Sequence, residues 1–182
     1  MQAFLEFLIG FSVAVLMWMI IEYLFHRFPM HSLGFARIVP KAWESFEAHT
    51  RLHHSRFFKQ FDNEPDIAAK YASSGVDPLW NTFGSVVVWL PIGVFLSWYA
   101  AGAFIVVAWL HGYLWTKVHW EMHWPKYPWW GNTRLFQYIS SNHEIHHEHS
   151  SCNYAALFPP FMDIVMCTRR KFLWVFLIVL CY

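Results

Sequence analysis

Ala3 to Phe25 is an unbroken apolar run except for Glu6 and Glu22. At 1.5 Å per residue it covers a bilayer's hydrocarbon core, so it predicts a spanning helix. A second apolar run extends from Phe83 to Thr116, and its only ionisable side chains are Tyr99, His111 and Tyr113. One straight helix of that length would overshoot a bilayer by about 20 Å. It reads instead as a hairpin of two short arms turning near Ala100–Gly102, arms that reach only partway or turn inside the membrane. The first helix should run to about Phe28, where Pro29 stops it. Residues 32–82 are polar and mixed in charge, with a helix expected around Trp43–Phe57 and a loop at Asp62, Asn63, Glu64, Pro65 and Asp66. The second hairpin arm should continue to Pro125. Pro128, Trp129, Trp130 and Gly131 form an expected interfacial turn. A last helix should occupy Thr133 to His147. The apolar tail Phe172–Tyr182 is too short to span, and reads as an interfacial or re-entrant segment or as the mark of a truncated chain.

Charge placement orients these elements. All 13 Lys and Arg residues lie in segments 27–70, 117–134 and 169–171, and none lies before Phe25 or between Phe83 and Thr116. The positive-inside rule makes those three segments cytoplasmic. The fold class expected is an all-α integral membrane protein: about three membrane helices, one span plus a hairpin, below a cytoplasmic helical cap. At 182 residues it is a single domain, 1–182, with no internal repeat. A composition 57% hydrophobic and 14% charged agrees with that class. The net charge of +1 gives no case for a nucleic-acid partner. Three cysteines without CxxC give neither a disulfide framework nor an iron–sulfur site, and no haem-attachment, P-loop or GxGxxG motif is present. The first segment lacks a basic n-region and is long for a signal peptide, so it is expected to be retained.

Ten of the 12 histidines fall into four clusters. They are His26 and His31 in HRFPMH; His49, His53 and His54 in HTRLHH; His119 and His123 in HWEMH; and His143, His146 and His147 in HEIHH. Residues three or four apart share a helix face, so His49/His53, His119/His123 and His143/His146/His147 can each aim imidazoles at one point. Imidazole is the commonest protein metal ligand. A first-row ion takes about four to six ligands, so ten imidazoles suit two ions at about five each, with a position left open on each. One span followed by a hairpin returns the chain to the same side, which brings all four clusters to the cytoplasmic face. An all-histidine dimetal site suits redox chemistry with dioxygen better than hydrolysis, which favours bridging carboxylates. Glu22, one turn before His26, is the carboxylate expected to accept a ligand's free ring N–H. Glu121 and Glu144 read more simply as helix charges, His111 as a buried hydrogen-bonded residue, and His149 as exposed.

From Glu22 through Arg169 the chain resembles the membrane fatty acid hydroxylase/sterol desaturase superfamily, with the four histidine clusters in that order around a membrane hairpin. The stretch NYAALFPPFMDIVMCT is similar to the family's closing motif at Asn153, Tyr154, Asp163 and Thr168, and departs from it at Ala155, Met162 and Cys167. The resemblance implies two iron ions bound by the ten clustered histidines, with Asn153 supporting the site beside Glu22. It implies a monooxygenase or desaturase that uses dioxygen to oxidise an unactivated C–H bond of a membrane lipid such as a fatty acyl chain or sterol. Zinc is an expected occupant of a purified sample, because divalent affinity favours zinc over iron(II).

The lipid substrate is expected to enter from the bilayer past Trp109, Tyr113 and Trp115. Electrons must come from a separate cytochrome, ferredoxin or reductase. Arg169, Arg170 and Lys171 suit membrane anchoring or an acidic partner. A bacterial inner membrane or the endoplasmic reticulum would be the setting. Two alternatives remain at this level: a metal-binding membrane protein without catalysis, and a same-scaffold carotenoid hydroxylase, although the second cluster reads HxxxHH and not that group's HxxHH.

Overall fold

A computed structural model describes residues 1–57, 78–125, 128–158 and 160–171. Every regular element among these residues is helical. The expected loop at 62–66 and the tail Phe172–Tyr182 lie outside them.

Helix α1 (Gln2–Phe25) does not stop at Pro29. It continues as a π-helical turn, His26–Met30, with Pro29 inside it. A proline costs an α-helix a hydrogen bond and a clash with the preceding turn. The wider π ring, closed between residues five apart, is a local departure from that geometry. Two short helices follow, α2 (Leu33–Ile38) and α3 (Pro40–Phe46). The Ser32 side chain caps α2, and Pro40 opens α3, where its missing N–H costs nothing. Helix α3 runs into a second π-helical segment, Glu47–His53, and then α4 (His54–Phe57). The helix expected over Trp43–Phe57 is therefore present, with a π segment at its centre.

The hairpin turns at Leu96–Ser97, four residues before the expected Ala100–Gly102. Its first arm is two helices, α5 (Pro78–Gly84) and α6 (Val86–Phe95), joined at Ser85. Its second arm, α7 (Trp98–His123), is continuous. Ser97 decides the turn. Its extended backbone lets Oγ accept from the Tyr99 and Ala100 amides at 3.2 and 3.4 Å, and its hydroxyl donates to Glu6 Oε2 at 2.6 Å. Gly93 leaves room for the Trp98 indole to fold back, since a Cβ there would lie 2.5 Å from that ring. Residues 128–131 form a short helix, α8 (Pro128–Gly131), where a turn was expected. Thr133 caps α9 (Arg134–Glu148), and α10 (Phe161–Val165) completes the described chain.

Helices α1 and α7 run in the same direction, with Gly10 against Ala100 and Glu22 against His111. A Cβ on Gly10 would lie 2.6 Å from Ala100 Cα, so glycine is what allows this approach. Ala14, Trp18, Phe104, Val107 and Ala108 pack between the two helices. A second cluster of Val118, Met122, Phe136 and Ile139 joins α7 to α9. This parallel pairing carries the C-terminal ends of α1 and α7 to one level, and the histidines lie there. Gln2–Met30 is long and apolar enough to cross a membrane.

Candidate metal centre

The ten clustered histidines meet, and they divide into two groups of five. Group one is His26, His31, His49, His54 and His146; group two is His53, His119, His123, His143 and His147. Within each group one ligand atom per residue lies within 4.8 Å of all the others. All ten side chains are buried except His31, which is nearly so.

The division follows helix type. His26/His31 and His49/His54 are five residues apart across the two π-helical segments, with His31 and His54 the residues that close them, and the wider turn brings i and i+5 nearer one face. Both pairs enter group one. His119/His123 and His143/His147 are four apart on the α-helices α7 and α9, and both enter group two. Adjacent residues therefore serve different groups: His53 and His54 part company, as do His146 and His147. The expected pair His49/His53 and triplet His143/His146/His147 are split. The His53 and His54 rings both lie near that of His49, but His54 brings its Nε2 to His49 while His53 brings its Nε2 to His147. The groups abut through the His54 and His147 rings, stacked at 4.1 Å and 9°.

Hydrogen-bond accounting fixes the tautomers of three imidazoles in group one, His26, His31 and His146. His26 Nδ1 donates to the Tyr154 carbonyl at 2.5 Å and His146 Nδ1 to the Cys152 carbonyl at 2.6 Å. Thr50 Oγ1 donates to the Met30 carbonyl at 2.5 Å, so it accepts from His31 Nδ1 at 3.2 Å. In a neutral imidazole with Nδ1 protonated, Nε2 carries only a lone pair. His31 and His146 nevertheless bring their Nε2 atoms within 2.9 Å of each other. Two facing lone pairs at that distance repel unless a cation lies between them. The other Nε2 spacings are similar: His54–His49 3.2 Å, His53–His147 3.1 Å and His147–His143 3.1 Å. Metal–nitrogen bonds of about 2.1 Å at right angles would separate nitrogens by about 3.0 Å, against about 3.4 Å in a tetrahedron. The spacing therefore matches five- or six-coordinate edges better than structural zinc. His119, buried, has no hydrogen-bond partner for either ring nitrogen among the described residues. The donor set fits two metal ions.

Burial, and then the neighbouring imidazoles, hold His49, His53, His143, His146 and His147 well below the ordinary histidine range, and push His54 down to about 3. These rings are neutral before any ion arrives. At pH 6 an ordinary imidazole carries roughly three quarters of a proton, so five would shed roughly four per ion bound. Titrating the folded, metal-free protein at pH 6 is expected to release less than about one per ion. Calorimetry in buffers of different ionisation enthalpy checks this. Stability follows the same sign. Below pH about 6.5 the unfolded chain takes protons that the folded chain refuses, so the metal-free fold weakens as pH falls from there towards about 3.

The supporting residues differ from the expectation. Glu22 does not take the ring N–H of His26. Its Oε2 meets His111 Nε2 at 2.8 Å, and its Oε1 accepts from the Ala156 and Leu157 amides at 2.8 and 2.9 Å. The Tyr154 carbonyl arrives at His26 first. Asn153, fully buried at φ 53°, makes no hydrogen bond to a clustered histidine side chain among the described residues. It locks the closing loop by accepting from the Arg170 amide at 2.7 Å and donating to the Asn142 and Arg170 carbonyls. That loop presents both carbonyls that orient His26 and His146. Thr50 and these carbonyls were invisible to a search for carboxylates; the five-residue spacings in HRFPMH and HTRLHH were the available signal for the division. Of the three expected pocket residues, Trp115 alone reaches the histidines, with its ring centroid 4.5 Å from His119 and 6.3 Å from His26. Trp109 and Tyr113 stack on each other on an exposed face of α7.

Among the described residues, helices bring ten mostly buried imidazoles together in two groups, each able to hold a metal ion. The fatty acid hydroxylase family matches residues 11–168, nearly the whole chain, and the chain belongs to that family. No curated protein and no solved structure matches it significantly.

Proposed function

We propose that this protein is an oxygen-dependent di-iron enzyme that hydroxylates, or desaturates, an unactivated C–H bond of a membrane lipid. The observation that carries the metal assignment is the facing of Nε2 lone pairs in group one, where hydrogen bonds to oxygen occupy the opposite ring nitrogens. Family membership supports the hydroxylase chemistry.

Residues Gln2–Met30 support a membrane setting, because few of them are buried and Phe4, Leu8, Ile9, Val13, Leu16 and Ile20 project outwards. A helix apolar all round and left uncovered needs lipid against it. In this reading α1 is one span and the hairpin of α5, α6 and α7 supplies two more, the first arm broken at Ser85. The parallel course of α1 and α7 then sets the histidines on the cytoplasmic side, where the basic segments lie.

Each histidine group would hold one iron, and the pair would supply the activation of dioxygen. The chain does the rest. The carbonyls of Cys152 and Tyr154 hold His146 and His26 in one tautomer. Trp115, nearly fully buried between a ring of each group, closes the membrane side of the centre and keeps water from it. The lipid would approach along α7 with an apolar carbon presented near Trp115. A separate electron-donor protein would supply reducing equivalents, since the chain holds no flavin, haem or iron–sulfur motif.

Expression with iron, followed by mass spectrometry of host lipids, tests the proposal. A lipid gaining about 16 mass units, or losing about 2, in the native protein and not in a His146→Ala/His147→Ala variant is the expected result, because the pair removes one ligand from each group. Two bound metals with no oxygen consumption and no altered lipid would overturn the catalytic reading.

A further inference from the structure

Asp163 belongs to neither histidine group and is fully buried. Its Oδ1 accepts from the Tyr154 amide at 2.8 Å and from the Thr168 hydroxyl at 2.9 Å; its Oδ2 accepts from the Ala155 amide at 2.9 Å. The Ala155 N–H and the Tyr154 C=O are the two ends of a single peptide group. That carbonyl takes the Nδ1 proton of His26. The hydrogen bonds thus run unbroken from the Asp163 carboxylate, through one peptide, to His26, whose Nε2 faces the centre of group one.

A carboxylate placed directly on a ligating histidine raises that ligand's basicity. Here a peptide intervenes, but the physics carries across it. Negative charge on the amide hydrogen shifts electron density to the carbonyl oxygen, and hydrogen bonds in series polarise one another in a low-dielectric interior. The carbonyl becomes a stronger acceptor, and the imidazole a stronger donor at Nε2. His146 supplies the contrast within the same group. Its acceptor is the Cys152 carbonyl, in the peptide whose N–H is that of Asn153, and that amide donates to the neutral Thr168 carbonyl at 3.0 Å.

We propose that Asp163 is a positioning residue that tunes the metal of group one through the Tyr154–Ala155 peptide and His26. The proposal rests on the reading of the groups as metal sites. It assigns the two sites different electronic settings: group one has a ligand backed, at one remove, by a buried carboxylate.

The test is a titration of the full chain in detergent with cobalt(II), followed by ligand-field absorption. The native protein should take up two ions. Asp163→Asn removes the charge and turns its amino group towards either the Tyr154 or the Ala155 amide, and should weaken one ion about 10–100-fold, the range seen when an outer partner of a metal ligand is lost. The absorption of that ion should shift while the other ion keeps both its affinity and its spectrum. Thr168→Val removes a donor to the same carboxylate and leaves the charge, so group one should hold its ion as tightly or more tightly. A purely structural role would make both variants weaken cobalt binding. A fall in Thr168→Val, or equal loss from both sites in Asp163→Asn, overturns the proposal; if the asparagine variant does not fold, Thr168→Val must hold one ion more tightly than the native protein or the proposal fails. A native protein that binds no cobalt defeats the metal reading itself.

Discussion

Exchanging His54 and His146 together for alanine is expected to leave about one metal ion per chain where the native protein holds about two, and to abolish lipid oxidation. Exchanging His53 and His147 should do the same, at the other ion. The two variants differ by one residue at each position, yet each takes two of five imidazoles from a different group. Removing an outer partner of a ligand already costs about 10–100-fold in affinity, so losing two ligands should cost more than about 100-fold. Combination identifies the site. Adding His31→Ala to the His54/His146 variant should cost no further metal, because His31 lies in the group already emptied. Adding His123→Ala should take the remaining ion as well. Metal content by mass spectrometry reads all four cases. If His53/His147 and His54/His146 proved interchangeable in these combinations, the division into two groups would be wrong.

That division shows where the sequence was legible. The ten histidines could be listed from their clustering alone, and the structure gathers all of them. Which imidazole joins which could not be read with α-helical spacing, because the deciding pairs sit on π segments. An α-helix would pair the ligand atoms of His49 and His53, and across the π segment His49 Nε2 meets that of His54 instead. Pro29 misled in the same way: read as a stop, it is accommodated in a π turn that brings His26 and His31 into one group. The hairpin was legible from its apolar length, and its turn was not. Apolar runs carry no register, and the turn depends on Ser97 finding Glu6, a partner 91 residues away. The outer supports were hidden for a different reason. Two of them are backbone carbonyls, which any residue at 152 and 154 would supply; the loop that aims them is held by Asn153 and Asp163.

Glu22→Ala should be the most destabilising single change outside the histidines. The carboxylate is 4% exposed and receives three donors: His111 Nε2 and the amides of Ala156 and Leu157. It therefore joins α1, α7 and the loop that orients His26 and His146. Alanine would leave three buried donors unmet, at about 1–3 kcal/mol each before relaxation. A net loss of about 3–5 kcal/mol is expected, the scale of breaking a buried pair by removing one partner. For a chain of this size that corresponds to roughly 6–20 °C in melting temperature. Glu22→Gln should cost far less. Its Oε1 can still accept both loop amides, and its Nε2 can donate to His111 Nε2 if that ring moves its proton to Nδ1. Asn81 does not follow, because the Nδ2 that lies 3.4 Å from that Nδ1 donates to the Ala108 carbonyl, so the glutamine variant keeps a smaller cost at His111. Melting in detergent, with and without metal, separates the two variants. Equal losses from alanine and glutamine would show that the charge on Glu22, and not its reach to three donors, holds these elements together.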